Sequence, residues 1–331
     1  MINASSDCAT TFPAMIADLL CRSSAVADYN ISVVVPTFNR QDELHRLLES
    51  LWQQTLSRSQ FEVIVASDGS TDGTVEMVRK LQSRQWNLKL LQLTNGGPAT
   101  ARNSGAQVAR GYYVAFTDDD CVATPDWLLE MLAAFQRTGA IGLQGRTTTD
   151  RLARTPLTHQ IEVLSHWPAA VPTCNAAYRK EVFERVGGFD VGFRFAHNED
   201  ADLAWRVEDF GVIAFAPNMH VIHPPRRDKF WKRARWVRFL ESDFYLYYKN
   251  PVKYRKYISP SPWWTIYWKF FIMDQIELVK LCFKCLLTPF RPYQFISGIG
   301  LVLARSFNLI RFLPEFWKAQ SLYRSKFLNC Q

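Results

Sequence analysis

The chain has 331 residues, of which 48% are hydrophobic and 21% charged, and a formal net charge of +8. This length is enough for one large domain with an appendage and excludes a small disulfide-stapled fold. The seven cysteines are odd in number and show no paired zinc spacing, which indicates reduced thiols of a cytosolic protein. Residues 1–28 lack a basic start and a long apolar centre, so we expect a lead-in with a short helix near 15–20 rather than a secretory signal.

Three β-branched or aromatic runs, at 31–35, 61–66 and 112–116, are each followed by turn residues and then by a helical pattern. This order predicts βαβ units. Because the runs are continuously apolar rather than alternating, we expect both faces of the sheet to be covered, as in a mostly parallel α/β sheet. Ligands of such sheets bind beyond the carboxyl ends of the strands, where each run meets a polar cluster.

The third cluster holds three consecutive aspartates, Asp118, Asp119 and Asp120. Side chains alternate along a strand, so Asp118 and Asp120 are predicted to point together and Asp119 away from them. A pair of carboxylates at a strand tip suits a hard divalent cation that also binds phosphate oxygens. For the aspartates alone, the alternative is a solvated turn.

Six segments of the chain resemble the family 2 glycosyltransferases with the GT-A fold, which move a sugar from a nucleotide diphosphate to an acceptor hydroxyl. The segments are VVVPTFNR at 33–40, ASDGSTDGT at 66–74, GGPATARNSG at 96–105, FTDDD at 116–120, GGFD at 187–190 and NEDADLAWR at 198–206. Over about residues 30–225, the resemblance implies a Rossmann-like mixed, mostly parallel sheet flanked by helices. It also implies a single displacement that inverts the anomeric carbon.

The resemblance further implies roles for individual residues. Substrate and nucleotide contacts are implied for Pro36, Thr37, Asn39, Arg40, Asp68, Arg102, Asp118, Asp119 and Glu199. Asp120 is implied as the direct ligand of Mn²⁺ or Mg²⁺, and His223 fits a further ligand position better than His220 does. Asp200 is implied as the general base that takes the proton of the acceptor hydroxyl.

Each of these roles has a structural alternative. Asp68 in its Asp-Gly-Ser context is also typical of a turn residue. Arg102 is equally compatible with a surface charge on a helix, and Asp200 with a carboxylate that complements a helix dipole. Cys121, where many relatives carry another acid, is expected to point to the opposite face from Asp120.

The positive charge is concentrated in the last third of the chain. From residue 218 onward there are 20 Lys and Arg against 6 Asp and Glu, and 26 of the 46 aromatic residues lie there. Interleaved basic and aromatic residues fit an anionic membrane surface better than nucleic acid. The longest apolar run, 295–304, is about half of the roughly 20 residues needed to cross a bilayer, so we expect amphipathic helices on the surface. Helices packed on the catalytic domain are the alternative.

The sequence thus predicts three parts: the lead-in 1–28, a GT-A catalytic domain 29–225, and a basic, aromatic-rich helical region 226–331. Within the catalytic domain, 29–120 is expected to bind the nucleotide and 121–225 the acceptor and the base. The expected protein is a metal-dependent inverting glycosyltransferase on the cytoplasmic face of the cell membrane. It would use a nucleotide sugar, with UDP the first expectation, and a glycan or lipid-linked acceptor.

Two other classes of protein remain as alternatives. The first is a catalytically silent GT-A scaffold on the membrane, against which the retention of all the acidic motifs argues. The second is a sugar nucleotidyltransferase, which shares a related sheet. Such enzymes carry a Gly-rich, Arg-containing loop after the first strand, whereas this chain has Pro-Thr-Phe-Asn-Arg at 36–40.

Overall fold

The computed structural model describes residues 28–84, 87–286 and 292–328. The lead-in predicted at 1–28, with its helix near 15–20, lies outside these residues except for residue 28. Among the described cysteines, Cys121, Cys174 and Cys282 are buried.

An eight-stranded mixed sheet lies at the centre, in the order β3-β2-β1-β4-β8-β6-β9-β5. Its strands are β1 Tyr29–Thr37, β2 Phe61–Asp68, β3 Leu88–Leu93, β4 Gly111–Phe116, β5 Val122–Ala123, β6 Gly142–Thr148, β8 Ala176–Arg179 and β9 Ile213–Ile222. Strands β3, β2, β1 and β4 are mutually parallel, and β6 is parallel to β9. Strand β8 runs antiparallel to both of its neighbours, and β5 runs antiparallel to β9. The predicted mixed, mostly parallel sheet is confirmed.

A two-stranded antiparallel ribbon stands apart from the sheet and pairs β7, Thr158–His159, with β10, Arg226–Arg227. The helices are α1 Gln41–Trp52, α2 Thr74–Gln82, α3 Pro98–Gln107, α4 Trp127–Thr138, α5 Lys180–Arg185, α6 Glu199–Glu208, α7 Phe230–Ala234, α8 Glu241–Lys249, α9 Pro251–Tyr257, α10 Pro262–Trp264, α11 Asp274–Leu286 and α12 Pro292–Leu328. A π-helical segment, Thr265–Met273, joins α10 to α11, and 3₁₀ turns occupy Arg58–Gln60, Arg151–Ala153, Thr173–Asn175 and Arg235–Leu240.

Two hydrophobic cores cover the two faces of the sheet, which explains the continuous apolar runs in the sequence. Along β1, Val33 and Val35 point into one core and Val34 into the other, because side chains alternate along a strand. Helices α1, α2 and α4 pack on the first face, and α3 and α6 on the second. Helix α1 packs there because its buried leucines recur at the spacing of one helical face.

One face of the C-terminal region belongs to the core on the second face of the sheet. Phe244 of α8 and Phe316 of α12 pack in the same core as Leu203 and Trp205 of α6. The expected alternative, helices packed on the catalytic domain, therefore holds for this face. The other face exposes large apolar side chains, namely Trp264, Tyr267, Trp268, Phe271, Ile272, Ile276, Phe283, Leu303, Phe307, Ile310 and Trp317.

Within α12, the stretch Gln294–Phe327 is long and apolar enough to cross a membrane by length and composition alone. The apolar run counted in the sequence stops at Arg305, but the helix continues, and Arg305 is buried beside Asp274. Of the most apolar window of this helix, 28% is buried, and Leu303, Phe307 and Ile310 are among its exposed apolar side chains.

Candidate active site

A cavity of about 770 Å³ lies at the carboxyl ends of β1, β2 and β4, as expected for a doubly wound sheet. Eleven of the twelve residues predicted as site residues line it: Pro36, Thr37, Arg40, Asp68, Arg102, Asp118, Asp119, Asp120, Glu199, Asp200 and His223. The exception is Asn39, whose side chain and backbone bind the loop after β2. Its Oδ1 accepts from Thr71 N at 2.7 Å, and its own N donates to Ser70 Oγ at 3.0 Å.

The three aspartates lie in a turn and not on a strand. Strand β4 ends at Phe116, and Cys121 N donates to the Asp118 carbonyl at 3.1 Å. Strand alternation therefore does not apply, and the prediction that Asp119 points away from the other two is wrong. Asp118, Asp119 and Asp120 all line the cavity.

Arg40 holds two of these carboxylates with one nitrogen. Its Nη1 donates to Asp119 Oδ1 and to Asp120 Oδ2, both at 2.8 Å. Burial raises the pKa of Asp119 to about 7, and Arg40 opposes that rise. The arginine that ends the first motif is thus fixed beside the acidic turn.

Arg102 is buried beneath the same turn. Its Nη2 donates to Asp118 Oδ1 at 2.8 Å, and its Nη1 lies 3.5 Å from Glu199 Oε1. Burial opposes the charged form of Asp118, but Arg102, with His223, holds its pKa below the usual value. The alternative of a surface helix charge is excluded, because only 7% of the Arg102 side chain is exposed. The guanidinium joins the acidic turn to the acidic helix α6.

Asp68 closes the loop that precedes α3. Its two carboxylate oxygens accept from Gly96 N and Gly97 N, each at 2.8 Å. Gly97 has a φ of 87°, a left-handed conformation that favours glycine. Asp68 lines the cavity, but both oxygens already hold the backbone of this loop. Its place is thus at the edge of the cavity, where it shapes the loop.

Asp120 and His223 are the residues that could hold a metal. His223 Nε2 lies 3.5 Å from Asp120 Oδ1, and the buried His223 Nδ1 has no hydrogen-bond partner among the described residues. Cys121 Sγ also falls within 4.8 Å of both, but burial raises the pKa of that thiol well above its ordinary value. A protonated thiol is a poor ligand for a hard cation. The carboxylate and the imidazole fit Mn²⁺ or Mg²⁺.

His220, the alternative ligand, does not line the cavity. Its Nε2 lies 2.8 Å from Thr148 Oγ1 at the end of β6. The side chain therefore has a hydrogen-bond partner within the sheet.

The acidic pair of α6, Glu199 and Asp200, lines the same cavity. Asn198, at a φ of 73°, turns the chain into the helix, and Asp200 Oδ1 accepts from Ala201 N at 2.8 Å. Burial, and then the charge of Asp200, raises the pKa of Glu199 to about 7. Burial also raises the pKa of Asp200. A carboxylate with a raised pKa in a cavity is suited to accept a proton.

His197 lies beside this pair and was not singled out from the sequence. Its Nε2 is 3.6 Å from Asp243 Oδ2, and Asp243 Oδ1 accepts from Tyr254 Oη at 2.8 Å. Burial opposes the charge of this imidazole, but Asp243, and then Asp200 and Glu199, raise its pKa. Asp243 lies on α8, outside all six motifs of the sequence.

Arg226 is a second residue that the sequence reading missed. It lies on β10, and its Nη1 is 3.2 Å from Asp120 Oδ2, while its Nε is 3.6 Å from Asp228 Oδ1. The only sequence signal was its place in the basic C-terminal third. The cavity therefore has two arginines, Arg40 and Arg226, at the carboxylate that could hold a metal.

The C-terminal region forms one wall of the cavity. Trp236 and Phe239 of a 3₁₀ turn, with Lys269 and Phe270 of the π-helical segment, line it together. Trp167 lines the cavity too, from the segment between β7 and β8. Aromatic faces suit sugar rings, and the lysine suits an anionic group.

Helix α6 is also bound to the C-terminal region by charge. Lys249 Nζ of α8 lies 2.5 Å from Asp190 Oδ2, in the GGFD segment, and 2.9 Å from Asp202 Oδ1. Asp202 also accepts from Arg206 on the same helix, at 2.7 Å. Lys249 thus connects α8 to Asp202 of helix α6, next to the acidic pair, and to Asp190 of the GGFD segment.

Residues 32–201, about half of the chain, match the sequence profile described as glycosyl transferase family 2. The chain belongs to this family. The predicted class of enzyme, a glycosyltransferase, is thereby confirmed. The family 2 profile ends at the first turn of α6, so the C-terminal region lies outside it.

Several curated relatives of this family 2 glycosyltransferase carry related names. Glycosyltransferase AglE of Haloferax volcanii is 29% identical over 207 residues, which is 59% of this chain and 67% of AglE. The uncharacterized glycosyltransferase EpsJ of Bacillus subtilis is 26% identical over 67% of this chain and 61% of EpsJ. Validoxylamine A glucosyltransferase of Streptomyces hygroscopicus is 41% identical, but over only 31% of this chain and 23% of its own length.

Solved structures extend the likeness over most of the family 2 chain. Mannosyltransferase PcManGT from Pyrobaculum calidifontis, in complex with GDP-Man and Mn²⁺, has a TM-score of 0.56 at 18% identity, over 89% of this chain and 93% of its own. Residues 1–349 of Staphylococcus aureus TarS, in complex with UDP-GlcNAc, have a TM-score of 0.53 at 19% identity, over 90% and 92%. The predicted GT-A fold is confirmed.

Proposed function

We propose that this glycosyltransferase transfers a sugar from a nucleoside diphosphate donor to a hydroxyl of a glycan or lipid-linked acceptor, with inversion at the anomeric carbon. The observation that carries the proposal is the convergence of three acidic segments on one cavity. Asp68, the turn Asp118–Asp120 and the pair Glu199–Asp200 come from separate parts of the chain and line the same space.

The donor is proposed to lie over the half formed by 29–120, between the ends of β1, β2 and β4. Pro36 and Thr37 line the cavity there, beside the loop that Asp68 holds. UDP is the proposed nucleotide, supported by the UDP-GlcNAc complex of TarS. GDP is the second choice, supported by the GDP-Man complex of PcManGT.

Asp200 is proposed as the base. The acceptor oxygen attacks the anomeric carbon, its proton passes to a carboxylate oxygen of Asp200, and the bond from the sugar to the diphosphate breaks. Arg102 donates to Asp118 and lies near Glu199. The guanidinium therefore fixes the separation between the acidic turn and helix α6. Arg40 and Arg226 are placed at Asp120, where a diphosphate would meet their charges.

Asp120 and His223 are proposed to hold Mn²⁺ or Mg²⁺. The bound ion would neutralise the charge that develops on the departing diphosphate. Support comes from the buried, unpartnered His223 Nδ1 and from the Mn²⁺ in the PcManGT complex.

The acceptor is proposed to enter along the half formed by 121–225 and the wall that contains Trp236 and Phe270. The exposed aromatic face of the region 226–331 is proposed to lie on the cytoplasmic face of the cell membrane. Trp and Tyr favour the level of lipid headgroups, and Lys and Arg meet anionic lipids. A lipid-linked acceptor would then reach the cavity from the surface on which the enzyme rests.

Donor binding can be tested without knowledge of the acceptor. UDP, dTDP and GDP are each added with and without Mn²⁺, and the melting temperature is measured. A ligand at about a hundred times its Kd adds about 2.7 kcal/mol, which raises the melting temperature by several degrees. We expect a Mn²⁺-dependent rise with one nucleotide, and we expect Asp120→Ala to remove the metal-dependent part. A Mn²⁺-dependent rise that survives in Asp120→Ala would refute the metal assignment.

The base is tested by transfer to an acceptor or, where none is known, by donor hydrolysis. Asp200→Asn should keep the nucleotide-induced rise and lower turnover by about 10²–10⁴-fold, the usual contribution of a positioned base. Asp42→Asn, exposed on α1, is the matched control and should turn over like the native enzyme. Near-normal turnover in Asp200→Asn would mean that another residue is the base. No turnover in the native protein would favour a catalytically silent scaffold.

A further inference from the structure

A second, smaller cavity of about 110 Å³ lies behind the β7–β10 ribbon. Successive residues of one extended segment face the two cavities in turn. Thr158 and Gln160 line the small cavity, whereas His159 and Ile161 line the catalytic one. This segment is therefore a shared wall, and the small cavity is a separate space with its own lining.

Three arginines from three distant parts of the chain meet in this small cavity: Arg154 before β7, Arg233 on α7 and Arg305 on α12. Arg305 is buried, with 7% of its side chain exposed. The Nε atoms of Arg233 and Arg305 are buried and have no hydrogen-bond partner among the described residues. A buried donor without an acceptor costs free energy, and buried guanidinium donors are normally satisfied.

The acids of the cavity do not balance these charges. Asp274 Oδ2 lies 2.6 Å from Arg305 Nη1, and Glu277 Oε1 lies 2.7 Å from the exposed Lys280 Nζ. Neither Arg154 nor Arg233 has a carboxylate within ion-pair distance in the part of the chain that the structure describes. Burial, and then the charge of Arg305, lowers the pKa of Arg233, and the charges of Asp228 and Asp274 only partly oppose this. Positive charge therefore exceeds negative charge around the cavity.

We propose that this small cavity binds the phosphate group of an anionic ligand. A tetrahedral oxyanion presents several acceptor oxygens to guanidinium forks, which are suited to phosphate. A volume of about 110 Å³ corresponds to only a few waters, so the site takes a phosphate group and not a nucleotide. Water would satisfy the orphan donors but would leave the charge unbalanced. The proposal goes beyond the glycosyl transfer described above and does not rest on its assignments.

Two sources can supply this phosphate: a free anion or the headgroup of a phospholipid. The elements around the cavity also carry exposed apolar side chains, Ile276 on α11 and Leu303 on α12. A headgroup phosphate would thus be accompanied by acyl chains on an apolar surface. The experiment separates the two sources.

In the first arm, the full chain is melted in sodium chloride and in sodium phosphate at equal ionic strength. We expect a saturable rise of the melting temperature with phosphate. In Arg233→Gln, the affinity for phosphate should fall by about tenfold or more, since a charge-assisted pair is lost. Arg311→Gln removes the same charge from an exposed position on α12 and should behave like the native chain. Arg154→Gln, at the exposed rim, is the second variant in case Arg233→Gln does not fold.

In the second arm, binding is measured to vesicles of phosphatidylcholine with and without phosphatidylglycerol. If the ligand is a headgroup, Arg233→Gln should lose binding to the anionic vesicles well beyond the loss in Arg311→Gln, and inorganic phosphate should compete. If only the first arm responds, the ligand is a free anion. Equal behaviour of Arg233→Gln, Arg154→Gln and Arg311→Gln in both arms would overturn the proposal.

Discussion

Replacing Arg102 with methionine tests whether this residue is a buried structural ion or a contact to substrate phosphate. The Arg102 side chain is buried, with 7% exposed, and its guanidinium lies 2.8 Å from Asp118 and 3.5 Å from Glu199. Methionine keeps much of the volume and removes the charge. Two carboxylates then remain without their cation at the floor of the cavity.

The expected loss of stability follows from this geometry. Removing one partner of a buried pair costs about 3–5 kcal/mol, because the other charge stays buried. At about 2 °C per kcal/mol for a chain of this size, the melting temperature of Arg102→Met should fall by roughly 6–10 °C. Arg46→Met, at an exposed position on α1, should change stability by less than about 0.5 kcal/mol.

The loss should also depend on pH in a defined direction. Arg102 holds the pKa of Asp118 below its ordinary value, so the folded state binds this proton less tightly than the unfolded state does. Stability from this source is present above the unfolded pKa and is lost as the pH falls through the folded one. The difference in the free energy of unfolding between the native chain and Arg102→Met should therefore become smaller in acid. Urea unfolding at several pH values measures this difference. A difference no larger than that caused by Arg46→Met would refute the buried ion pair.

Three further predictions concern the same cavity. Asp243→Asn removes the charge opposite His197 and should lower kcat about tenfold, which corresponds to about 1.4 kcal/mol. The KM for the donor should not change. A change in KM alone, measured by steady-state kinetics, would contradict this prediction. Burial raises the pKa of Asp200 and brings that of Glu199 to about 7. We therefore expect kcat/KM to rise with pH and to level off above about pH 7. A profile that is already flat at pH 5 would contradict the raised pKa values of these two carboxyl groups. A Cβ at position 97 would meet no neighbouring atom, but the φ of +87° is strained for alanine. The free energy of unfolding of Gly97→Ala, measured in urea, should therefore fall by about 1–2 kcal/mol. An unchanged free energy would mean that the loop takes another conformation.

The sequence was sufficient for the sheet and for the position of most site residues. Continuous apolar runs predict strands covered on both faces, and Val33 to Val35 alternate between two cores as that requires. Polar clusters after such strands meet at one edge of the sheet because parallel strands share their direction. This explains why Asp68, Arg102 and Asp200 reach one cavity.

Side-chain directions within the loops could not be predicted in the same way. The alternation rule failed at Asp119 because β4 ends at Phe116, and the end of a strand depends on its neighbours as well as on its residues. Asn39 was predicted to contact substrate but binds the next loop, since a motif fixes a residue type and not its partner. Asp243 and Arg226 were missed because their partners lie far away along the chain.

The shared packing of α6 and the C-terminal helices has a consequence for how this enzyme can be divided. Leu203 and Trp205 lie in one core with Phe244 and Phe316, and Lys249 links Asp202 to Asp190. A chain that stopped after β9 would expose that core and release the helix that bears Asp200. The C-terminal region is thus part of the same core as α6, and any displacement of that region would also displace the helix that carries Asp200.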